Sequence, residues 1–425
     1  MTLDATRACE LLVGLDDMTV LSVHENGGGL VVAVESREQF VGCGACGSRA
    51  TIKDRPEVAL GDLSSFGRPS TLVWRKRRWS CPDGDCPVRS WTETNAQVAA
   101  PRCGLTRRAG LWACRQVGQR ARPVSSVAAE LGCSWWAVMS AVTVYGTPLV
   151  DDPARTAGVE MLGVDETSFL KAQAKAPTRW VSAVVDVGRR RAIDLFEGRN
   201  ADDLDAWLEA RPERWKQQVS VAVTDLHEPF RAALSAHLAH ATQVADPFHV
   251  VGVGTRAVDA VRRRIQQQTL GHRGRRGDPL YRARKLLSLA AERLDDGGQR
   301  RLHRLLRIGD PRREVYDTWI AKECLRDLYT LAADPALAAD WLDELTGDLA
   351  DSLVPELRGM ARTLRRWRGQ ILAWHTTGAS NGPAEAVNLL IKKIKRVGHG
   401  FRRFAHYRLR VLLYTGGVNW TLLGQ

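Results

Sequence analysis

The chain has 425 residues, of which 44% are hydrophobic and 26% are charged, so it can form the cores of two to four domains of ordinary size. Its 61 lysines and arginines exceed its 48 aspartates and glutamates, and the net charge of +13 favours nucleic acid or another polyanion as partner, with an unrelated basic enzyme as the alternative. The sequence contains no run of about 18 apolar residues and no apolar segment of a secretory signal, which excludes a membrane-spanning protein and predicts a cytoplasmic one.

Four of the nine cysteines form two close pairs, Cys43 with Cys46 and Cys81 with Cys86. Without a secretory signal, such cysteines indicate thiols or metal ligands and not disulfides. Two pairs of thiolates match the tetrahedral ligand set of a structural zinc ion, Zn²⁺. The loop between the pairs is longer than in a short zinc ribbon, so four unlinked thiols are the alternative. The alternation across residues 71–76 predicts a strand of this ribbon, within a domain at residues 1–100.

A long stretch without acidic residues follows, from position 95 to position 129, and arginines recur through it. The adjacent pair Arg107 and Arg108 lies in this stretch and is a candidate for contacts with DNA phosphates. The sequence thus predicts a second region for DNA binding after the cysteines.

The segment PVSSVAAELGCSWWAVMSAVTVYG predicts two short helices joined by a turn at Gly132. Ser125 or Ser126 can cap the first helix, and Ser134 can cap the second helix, which runs to about Val144. Two helices joined by a tight glycine turn are typical of a helix-turn-helix, whose second helix enters the major groove of DNA.

We therefore expect a DNA-binding domain at residues 101–155, with Ser134 and Trp135 at the DNA. One member of the pair Trp135 and Trp136 is expected to pack in the core. An ordinary pair of packed helices is the alternative interpretation, because short helical pairs are common.

Residues 156–250 alternate between strand and helix patterns, in the order of three strands, a helix, a strand, a helix and a strand. The second and third strands lie in TRWVSAVVDVGRRRAIDLFEG and turn at Gly188, as in a hairpin. This order predicts an α/β core.

Two carboxylates of this core lie where a charge is costly unless it is paired or binds a metal. Asp165 lies within the apolar strand of VEMLGVDETSF, and Asp225 directly follows the buried strand QVSVAVT. Capping of the next helix is the alternative, and it suits Asp225 better than Asp165 because a helix follows Asp225 at once. With a third ligand, the two aspartates can hold two divalent ions, which activate a water and stabilise the leaving oxygen of a phosphodiester.

A single carboxylate, Glu385, begins the last basic segment, and no acidic residue follows it. At about 100° per residue, a helix here places apolar side chains on one side, namely Val387, Leu390, Ile391 and Ile394. Its polar side chains share the other side, namely Glu385, Asn388, Lys392 and Arg396. A helix cap requires no such row of cations, although an acid in the first turn also stabilises a helix by complementing its dipole.

The sequence resembles the ISL3 family of bacterial insertion-sequence transposases over essentially its whole length. The matching stretches, in the order of the family, are CGAC with CPDGDC, GVDETSF, VTDLHEPF, ADPFHVV and SNGPAEAVNLLIKKIKRVGHGFRRFAHYRLRVLL. The resemblance implies an α/β, ribonuclease-H-like catalytic core at residues 156–250 and 376–425, with the catalytic glutamate and the basic C-terminus in its last part. It also implies an all-helical insertion at residues 251–375 and, before the core, the zinc ribbon and the helix-turn-helix.

The resemblance further implies a catalytic triad that binds two Mg²⁺ or Mn²⁺ ions, formed by Asp165 of GVDE, Asp225 of VTDL and Glu385 of SNGPAE. Asp246 and His249 of DPFH match another family signature and are assigned a supporting role, with Asp246 as the rival of Asp225 for the second ligand. The last motif adds Asn388 as a supporting residue and a set of DNA-binding cations, Lys392, Lys393, Arg396, Arg402 and Arg403.

These observations predict a transposase that binds the terminal inverted repeats of its insertion sequence, cleaves DNA strands and joins 3′-OH ends to target DNA. The expected partners are double-stranded DNA and further copies of the chain, as a dimer or larger assembly in the bacterial nucleoid. Two alternatives remain, a non-catalytic sequence-specific DNA-binding regulator and a ribonuclease-H-like metal nuclease without strand transfer.

Overall fold

The structure, a computed structural model, describes residues 5–37, 40–172, 177–332 and 334–424. The chain divides into two compact units. The first unit combines Met1–Thr156 with Leu389–Gln425, and the second unit comprises Ala157–Asn388. The first unit therefore joins the two ends of the chain.

The N-terminal part of the first unit contains two small sheets. Its elements are α1 (Ala5–Val13), β1 (Met18–Asn26), β2 (Gly29–Ser36), β3 (Thr51–Asp54), β4 (Glu57–Ser65), β5 (Arg68–Arg75), β6 (Arg78–Ser80) and β7 (Ser90–Thr92). One sheet has the order β1-β2-β5-β4 and the other has the order β3-β6-β7. Glycines at 27 and 28 have φ angles of 58° and 83°, which suit the tight turn between β1 and β2.

The strand predicted at residues 71–76 is confirmed as β5, but it does not belong to a ribbon beside the cysteines. β5 pairs with β2 and β4 in the four-stranded sheet, because this position buries Leu72 and Trp74. These side chains pack with Met18 and Val34 in the core of that sheet.

Three helices follow in the first unit, α2 (Arg107–Cys114), α3 (Val124–Leu131) and α4 (Trp135–Val150). The predicted cap of α3 at Ser125 or Ser126 is wrong, because α3 begins directly after Pro123, whose φ of −58° already suits the start of a helix. Gly132 ends α3 with a φ of 62°, and a Cβ there would lie 2.8 Å from the side chain of Pro69. α4 continues past Val144 to Val150 and contains Pro148.

Helices α3 and α4 meet at an angle of 109°. Within the ranges that the structure describes, no single helix is long and apolar enough to cross a membrane, and only these two helices taken together as a bent pair reach the required length and composition.

The second unit is built on a five-stranded sheet with the order β10-β9-β8-β11-β12. The strands β8, β9 and β10 are antiparallel neighbours, whereas β8, β11 and β12 run parallel. The predicted order of strands and helices is confirmed, with one additional short helix, α6. The elements are β8 (Met161–Leu170), β9 (Arg179–Asp186), β10 (Arg191–Glu197), α5 (Ala201–Glu209), α6 (Glu213–Lys216), β11 (Val221–Thr224), α7 (Glu228–His237) and β12 (Thr242–Ala245).

Seven α-helices lie between Pro247 and Thr377 in the described part of the second unit, in the region where the family resemblance implies an all-helical insertion. They are α8 (Pro247–Leu270), α9 (Pro279–Ser288), α10 (Asp296–Gly309), α11 (Glu314–Leu331), α12 (Pro335–Asp351), α13 (Pro355–Arg366) and α14 (Arg368–Thr377). They share one apolar core. The buried ammonium of Lys322 donates to the carbonyls of Leu287 and Leu289, which satisfies the last turn of α9.

The last two α-helices of the described chain are α15 (Gly382–Val397) and α16 (Phe404–Thr415). The buried face of α15 contains Val387, Ile391 and Ile394, as predicted, but Leu390 is exposed and Asn388 is buried. At about 100° per residue, Leu390 and Asn388 lie at opposite margins of the buried stripe, so the packing around α15 decides which of the two is buried. The predicted division of the helix into an apolar and a polar side is therefore wrong for these two residues.

Candidate active site and zinc site

Asp165 lies within β8, and Asp225 directly follows β11, the neighbouring strand of the five-stranded sheet. β8 and β11 are parallel, and Val164 is paired with Thr224, so that an aspartate follows on each strand at the same level. Thr224 is also paired with Ala245 of β12, and Asp246 follows there. Asp225 and Asp246 thus lie where the parallel strands β11 and β12 end, at the level of Asp165 within β8. The ends of parallel strands are the usual place for a functional site in such sheets.

Asp225 is mostly buried, and its Oδ1 has no hydrogen-bond partner among the described residues. It does not cap α7, because that helix begins at Glu228 with His227 as the N-cap residue. Burial and the negative charges of Glu166 and Asp165 raise the pKa of Asp225 to about 6, whereas His249 and a backbone hydrogen bond act to lower it. A cation would satisfy the unpartnered oxygen, since a buried charge is normally paired or bound to metal.

Asp165 is connected to the last helix of the second unit. The backbone N–H of Glu166 donates to Oδ1 of Asp165 at 2.7 Å. The side-chain amide of Asn388 donates to Oδ2 of Asp165, and Asn388 lies on α15 three positions after Glu385. This hydrogen bond fastens the start of α15 to β8.

The imidazole of His249 lies between Asp225 and Glu385. Its Nδ1 is 3.8 Å from Oδ2 of Asp225, and its Nε2 is 3.5 Å from Oε1 of Glu385. Glu385 itself is half-exposed in the first turn of α15. The structure therefore brings all three predicted carboxylates to one site, with His249 and Asn388 as the side chains that connect them.

The three carboxylates are not packed as closely as the ligands of a single ion. In the described ranges, the four-cysteine cluster is the only group of three or more histidines, cysteines, aspartates or glutamates whose ligand atoms all lie within 4.8 Å of one another. The imidazole of His249 occupies the space between two of the carboxylates.

Asp246 has a different environment from its two neighbours. It is buried, its Oδ2 accepts the N–H of His249 at 3.3 Å, and its Oδ1 accepts the N–H of Asn381 at 2.8 Å. The first bond caps α8, and the second holds the turn that precedes α15. Both oxygens of Asp246 are thus engaged by backbone groups.

Glu166 also acts on the site, and the two side chains beside it could not be identified from the sequence. Glu166 lies 3.5 Å from the guanidinium of Arg199 and 3.9 Å from Nε2 of His227. Arg199 follows β10 and His227 precedes α7, so only the arrangement of the strands brings them together. Through its charge on Asp225, Glu166 contributes to the electrostatics of the site.

The predicted DNA-binding residues fall into two groups. Five of them are exposed on α15 and on the segment that follows it, namely Lys392, Lys393, Arg396, Arg402 and Arg403. The others lie near α2 and α4. Arg108 is bound to Asp62 and to the carbonyl of Val13, and Arg107 is half-buried. The hydroxyl of Ser134 caps α4 by accepting from the N–H of Ala137 at 3.1 Å.

Neither tryptophan at the start of α4 packs in the core, so the expectation that one of them does is wrong. Trp135 is 38% exposed and Trp136 is 58% exposed. The two rings contact each other edge to face and both lie near the ring of His406. Both rings lie at the surface of the first unit, where α16 places His406 beside the start of α4. The local sequence pattern does not reveal this contact, because it joins segments that are far apart in the chain.

The four predicted zinc ligands form one cluster. The Sγ atoms of Cys43 and Cys86 are 3.7 Å apart, and those of Cys46 and Cys81 are 3.5 Å apart. All four ligand atoms lie within 4.8 Å of one another, and each of these cysteines is a free thiol. Backbone N–H groups of Cys46 and Ala45 lower the pKa of the Cys43 thiol to about 7. Four converging thiols, of which one ionises near neutral pH, fit a structural zinc ion.

The family profile for the ISL3 type, described as "Transposase", matches residues 162–411, which is more than half of the chain. The chain belongs to the ISL3 family of transposases. A second profile, the zinc finger of transposases IS204, IS1001, IS1096 and IS1165, matches residues 39–86 and includes the four clustered cysteines. The family predicted from the sequence is thus confirmed, and the cluster supports a structural zinc ion in this ISL3 protein.

Curated relatives carry the same description. The transposase for insertion sequence element IS1557 of Mycobacterium tuberculosis is 24% identical over 99% of this chain and 97% of its own length. The transposase for IS1001 of Bordetella parapertussis is 26% identical over 60% of each chain. Among solved structures, the Drosophila P element transposase strand transfer complex matches 73% of this chain and 92% of its own chain, at 12% identity and a TM-score of 0.37.

Proposed function

We propose that this ISL3 protein binds the terminal inverted repeats of its insertion sequence, cleaves DNA there and joins the 3′-OH ends to target DNA. The observation that carries the proposal is the convergence of Asp165, Asp225 and Glu385 within the segment that matches the transposase profile. The five-stranded order β10-β9-β8-β11-β12, in which β8 pairs antiparallel with β9 and parallel with β11, supports a ribonuclease-H-like core.

The three carboxylates fit a pair of Mg²⁺ or Mn²⁺ ions in their chemistry, because these ions prefer oxygen ligands. The buried, unpartnered Oδ1 of Asp225 supports this assignment. Asp246 is less suited as the second ligand, because both of its oxygens already accept backbone N–H groups. When bound, the two ions would activate the attacking oxygen and stabilise the leaving oxygen of a phosphodiester.

The surrounding side chains prepare the carboxylates for this role. Asn388 fixes the orientation of Asp165 by its hydrogen bond, and His249 holds Asp225 and Glu385 at a set separation. Arg199 offsets the charge of Glu166. Such preorganisation lowers the barrier of phosphoryl transfer mainly through positioning and charge stabilisation.

Recognition of the DNA ends is assigned to the first unit. The α3–α4 pair is proposed as a helix-turn-helix, with the zinc ribbon as a second contact. The exposed cations of α15 and of the segment after it are proposed to hold phosphates. The proposal includes a dimer or larger assembly on paired ends.

The decisive experiment incubates the full chain with labelled inverted-repeat DNA and Mg²⁺, and measures cleaved and joined products on a denaturing gel. The isosteric variants Asp165→Asn and Glu385→Gln are each expected to lower cleavage by at least about a hundredfold, because each removes a charge that stabilises the transition state. Glu209→Gln changes an exposed carboxylate of α5 and is the matched control, with cleavage equal to that of the parent chain.

The outcomes separate the alternatives. Cleavage that persists in the Asp165→Asn and Glu385→Gln double variant would refute the assigned triad. Specific binding of the repeats without cleavage, under conditions that allow paired ends, would favour a DNA-binding regulator. Cleavage without joined products after target DNA is added would favour a metal nuclease.

A further inference from the structure

A cavity of about 460 Å³ lies within the first unit, at the start of α4. Its walls come from Trp135 and Trp136, from the segment 397–403, and from His406 and Arg410 of α16. Cavities of about 300–1,000 Å³ commonly hold small organic groups. The residues that line the cavity belong to the first unit, whereas the three carboxylates belong to the second unit.

One wall of the cavity is aromatic. The ring centroids of Trp135 and Trp136 are 4.9 Å apart, and the ring of His406 lies 5.9 Å and 6.2 Å from them. The guanidinium of Arg403 lies 5.1 Å from the ring of Trp136. Exposed aromatic rings beside arginines are the arrangement on which proteins stack unpaired bases.

A buried cation, Arg410, also lines the cavity. Arg410 is 3% exposed, and its Nη2 donates a 3.3 Å hydrogen bond to the carbonyl of Arg122. Its Nε has no hydrogen-bond acceptor, and its guanidinium lies 5.2 Å from the ring of Phe401. Among the described residues, Arg410 has no ion pair with a carboxylate, and the sequence has no acidic residue after Glu385.

A buried cation without a counter-ion destabilises a fold unless an anion compensates it. Burial lowers the pKa of Arg410 to about 10, so that its guanidinium remains charged at neutral pH. The exposed cations Arg402 and Arg403 line the same cavity and would attract an anion toward Arg410. The cavity therefore fits a ligand that combines an anionic group with a flat ring that stacks on tryptophan.

We propose that this cavity binds a single unstacked nucleotide of DNA, with its base against Trp135 and Trp136 and a phosphate at Arg403 and Arg410. The proposal rests on the proposed function only in taking DNA as the ligand. An intact duplex keeps its bases inside the stack, so the ligand is a single strand or a nucleotide that has been flipped out of the duplex. The cavity thus recognises an opened DNA end.

The test measures the binding of the full chain to a fluorescent oligothymidylate and to a blunt duplex of equal length, by fluorescence anisotropy without divalent ions. We expect Trp136→Ala to lower the ratio of single-strand to duplex affinity by about tenfold, because each stacked base contributes substantially to such binding. Arg403→Gln is expected to lower the same ratio. Phe66→Ala removes an 87% exposed ring on the β4–β5 turn and is the control, with an unchanged ratio.

Tryptophan fluorescence gives a second measurement, since a stacked base is expected to quench Trp135 and Trp136 in the parent chain and less in Trp136→Ala. An unchanged affinity ratio in both Trp136→Ala and Arg403→Gln would overturn the proposal. Equally effective displacement of the oligothymidylate by a phosphotyrosine peptide would also overturn it and would indicate a peptide site.

This result is independent of the cleavage experiment. A chain that binds oligothymidylate through Trp136 but never cleaves repeat DNA would refute only the proposed function. A chain that cleaves repeat DNA through Asp165 and Glu385 but shows no effect of Trp136→Ala on the ratio would refute only the nucleotide cavity.

Discussion

At the scale of single residues, the surroundings of Asp225 disfavour its ionised form. Burial and the charge of Glu166 raise its pKa from 3.8 to about 6. The ionised form is thus disfavoured in the folded chain, so the free energy of unfolding falls as pH rises from 3.8 to about 6. Well below pH 3.8 the carboxyl is protonated in both the folded and the unfolded chain, and it then has no such effect.

Asp225→Asn should therefore stabilise the metal-free chain at high pH. The increase in the free energy of unfolding is expected to reach up to about 3 kcal/mol at pH 8 and to vanish near pH 3.5, at about 1.4 kcal/mol per pKa unit. Urea denaturation in the presence of a chelator measures both values. Asp202→Asn on the exposed side of α5 is the control. An equal effect at both pH values would contradict the burial of a charged Asp225.

Asp246 leads to a prediction of opposite sign. Asp246→Ala removes the acceptor for two backbone N–H groups, one at the start of α8 and one at Asn381. The expected loss in the free energy of unfolding is about 2–4 kcal/mol, because the variant loses a helix cap and leaves a buried N–H without a partner.

Asp295→Ala is the matched control for Asp246, since Asp295 caps α10 by accepting the N–H of Gly298 but is exposed. Its expected cost is about 1 kcal/mol. Thermal denaturation compares the two variants. A loss at Asp246 no larger than the loss at Asp295 would show that the bond to Asn381 adds no stability.

The candidate site was only partly predictable at this scale. Asp165 and Asp225 could be identified because acids in or directly after apolar strands need a partner. The position of His249 between Asp225 and Glu385 could not, because it depends on where α8 and α15 meet, and no local pattern carries that information. The same holds for Arg199 and His227 around Glu166.

At the scale of elements, the cysteine cluster shows how much a motif can predict. Its spacing identified the four ligands, because two close pairs supply thiols in the geometry that zinc requires. It did not predict the two sheets, since the pairing of β5 with β2 joins segments on opposite sides of the first cysteine pair. Helix periodicity likewise located α15 but misjudged Leu390 and Asn388, whose burial depends on what packs beside them.

Removal of a zinc ligand should change the zinc content of the chain and the stability of its first unit. Cys81→Ser is expected to lose one equivalent of zinc per chain, measured by atomic emission, and to lower the melting temperature of the first unit, because bound zinc contributes its binding energy to folding. Cys324→Ser alters a half-buried thiol of the second unit and should keep the zinc. Zinc retained in Cys81→Ser would contradict the four-cysteine site.

At the scale of the whole molecule, the net charge of +13 predicts how DNA binding responds to salt. Each neutralised phosphate contributes about 0.9 to the slope of log affinity against log salt concentration. Lys392→Gln and Arg396→Gln are each expected to reduce that slope by about one, since both cations are exposed on α15. Filter binding to repeat DNA between low and moderate salt measures the slope.

Arg326→Gln is the control for charge, because Arg326 is already paired with Glu292 and Glu323 in the second unit. An equal change of slope in this control would mean that the slope follows the total charge of the chain and not contacts made by α15.

Chain-level organisation was the least predictable property. The sequence assigned residues 376–425 to a core shared with residues 156–250, and the structure groups Leu389–Gln425 with Met1–Thr156. The order of strands and helices in the second unit could be predicted, because apolar runs and turns are local features. Which strands become neighbours could not, because strand pairing is decided by contacts between distant segments.

The carboxylate of Asp246 has one further consequence for the chain as a whole. It ties together two backbone groups that are separated by most of the helices α8–α14, with 135 positions between Asp246 and Asn381. The segment of helices α8–α14 thus begins and ends at one place beside the sheet, where Asp246 connects its two ends. Because both ends of this helical segment are held at one place, a change in its length would leave the separation in space between Asp225 and Glu385 unaltered.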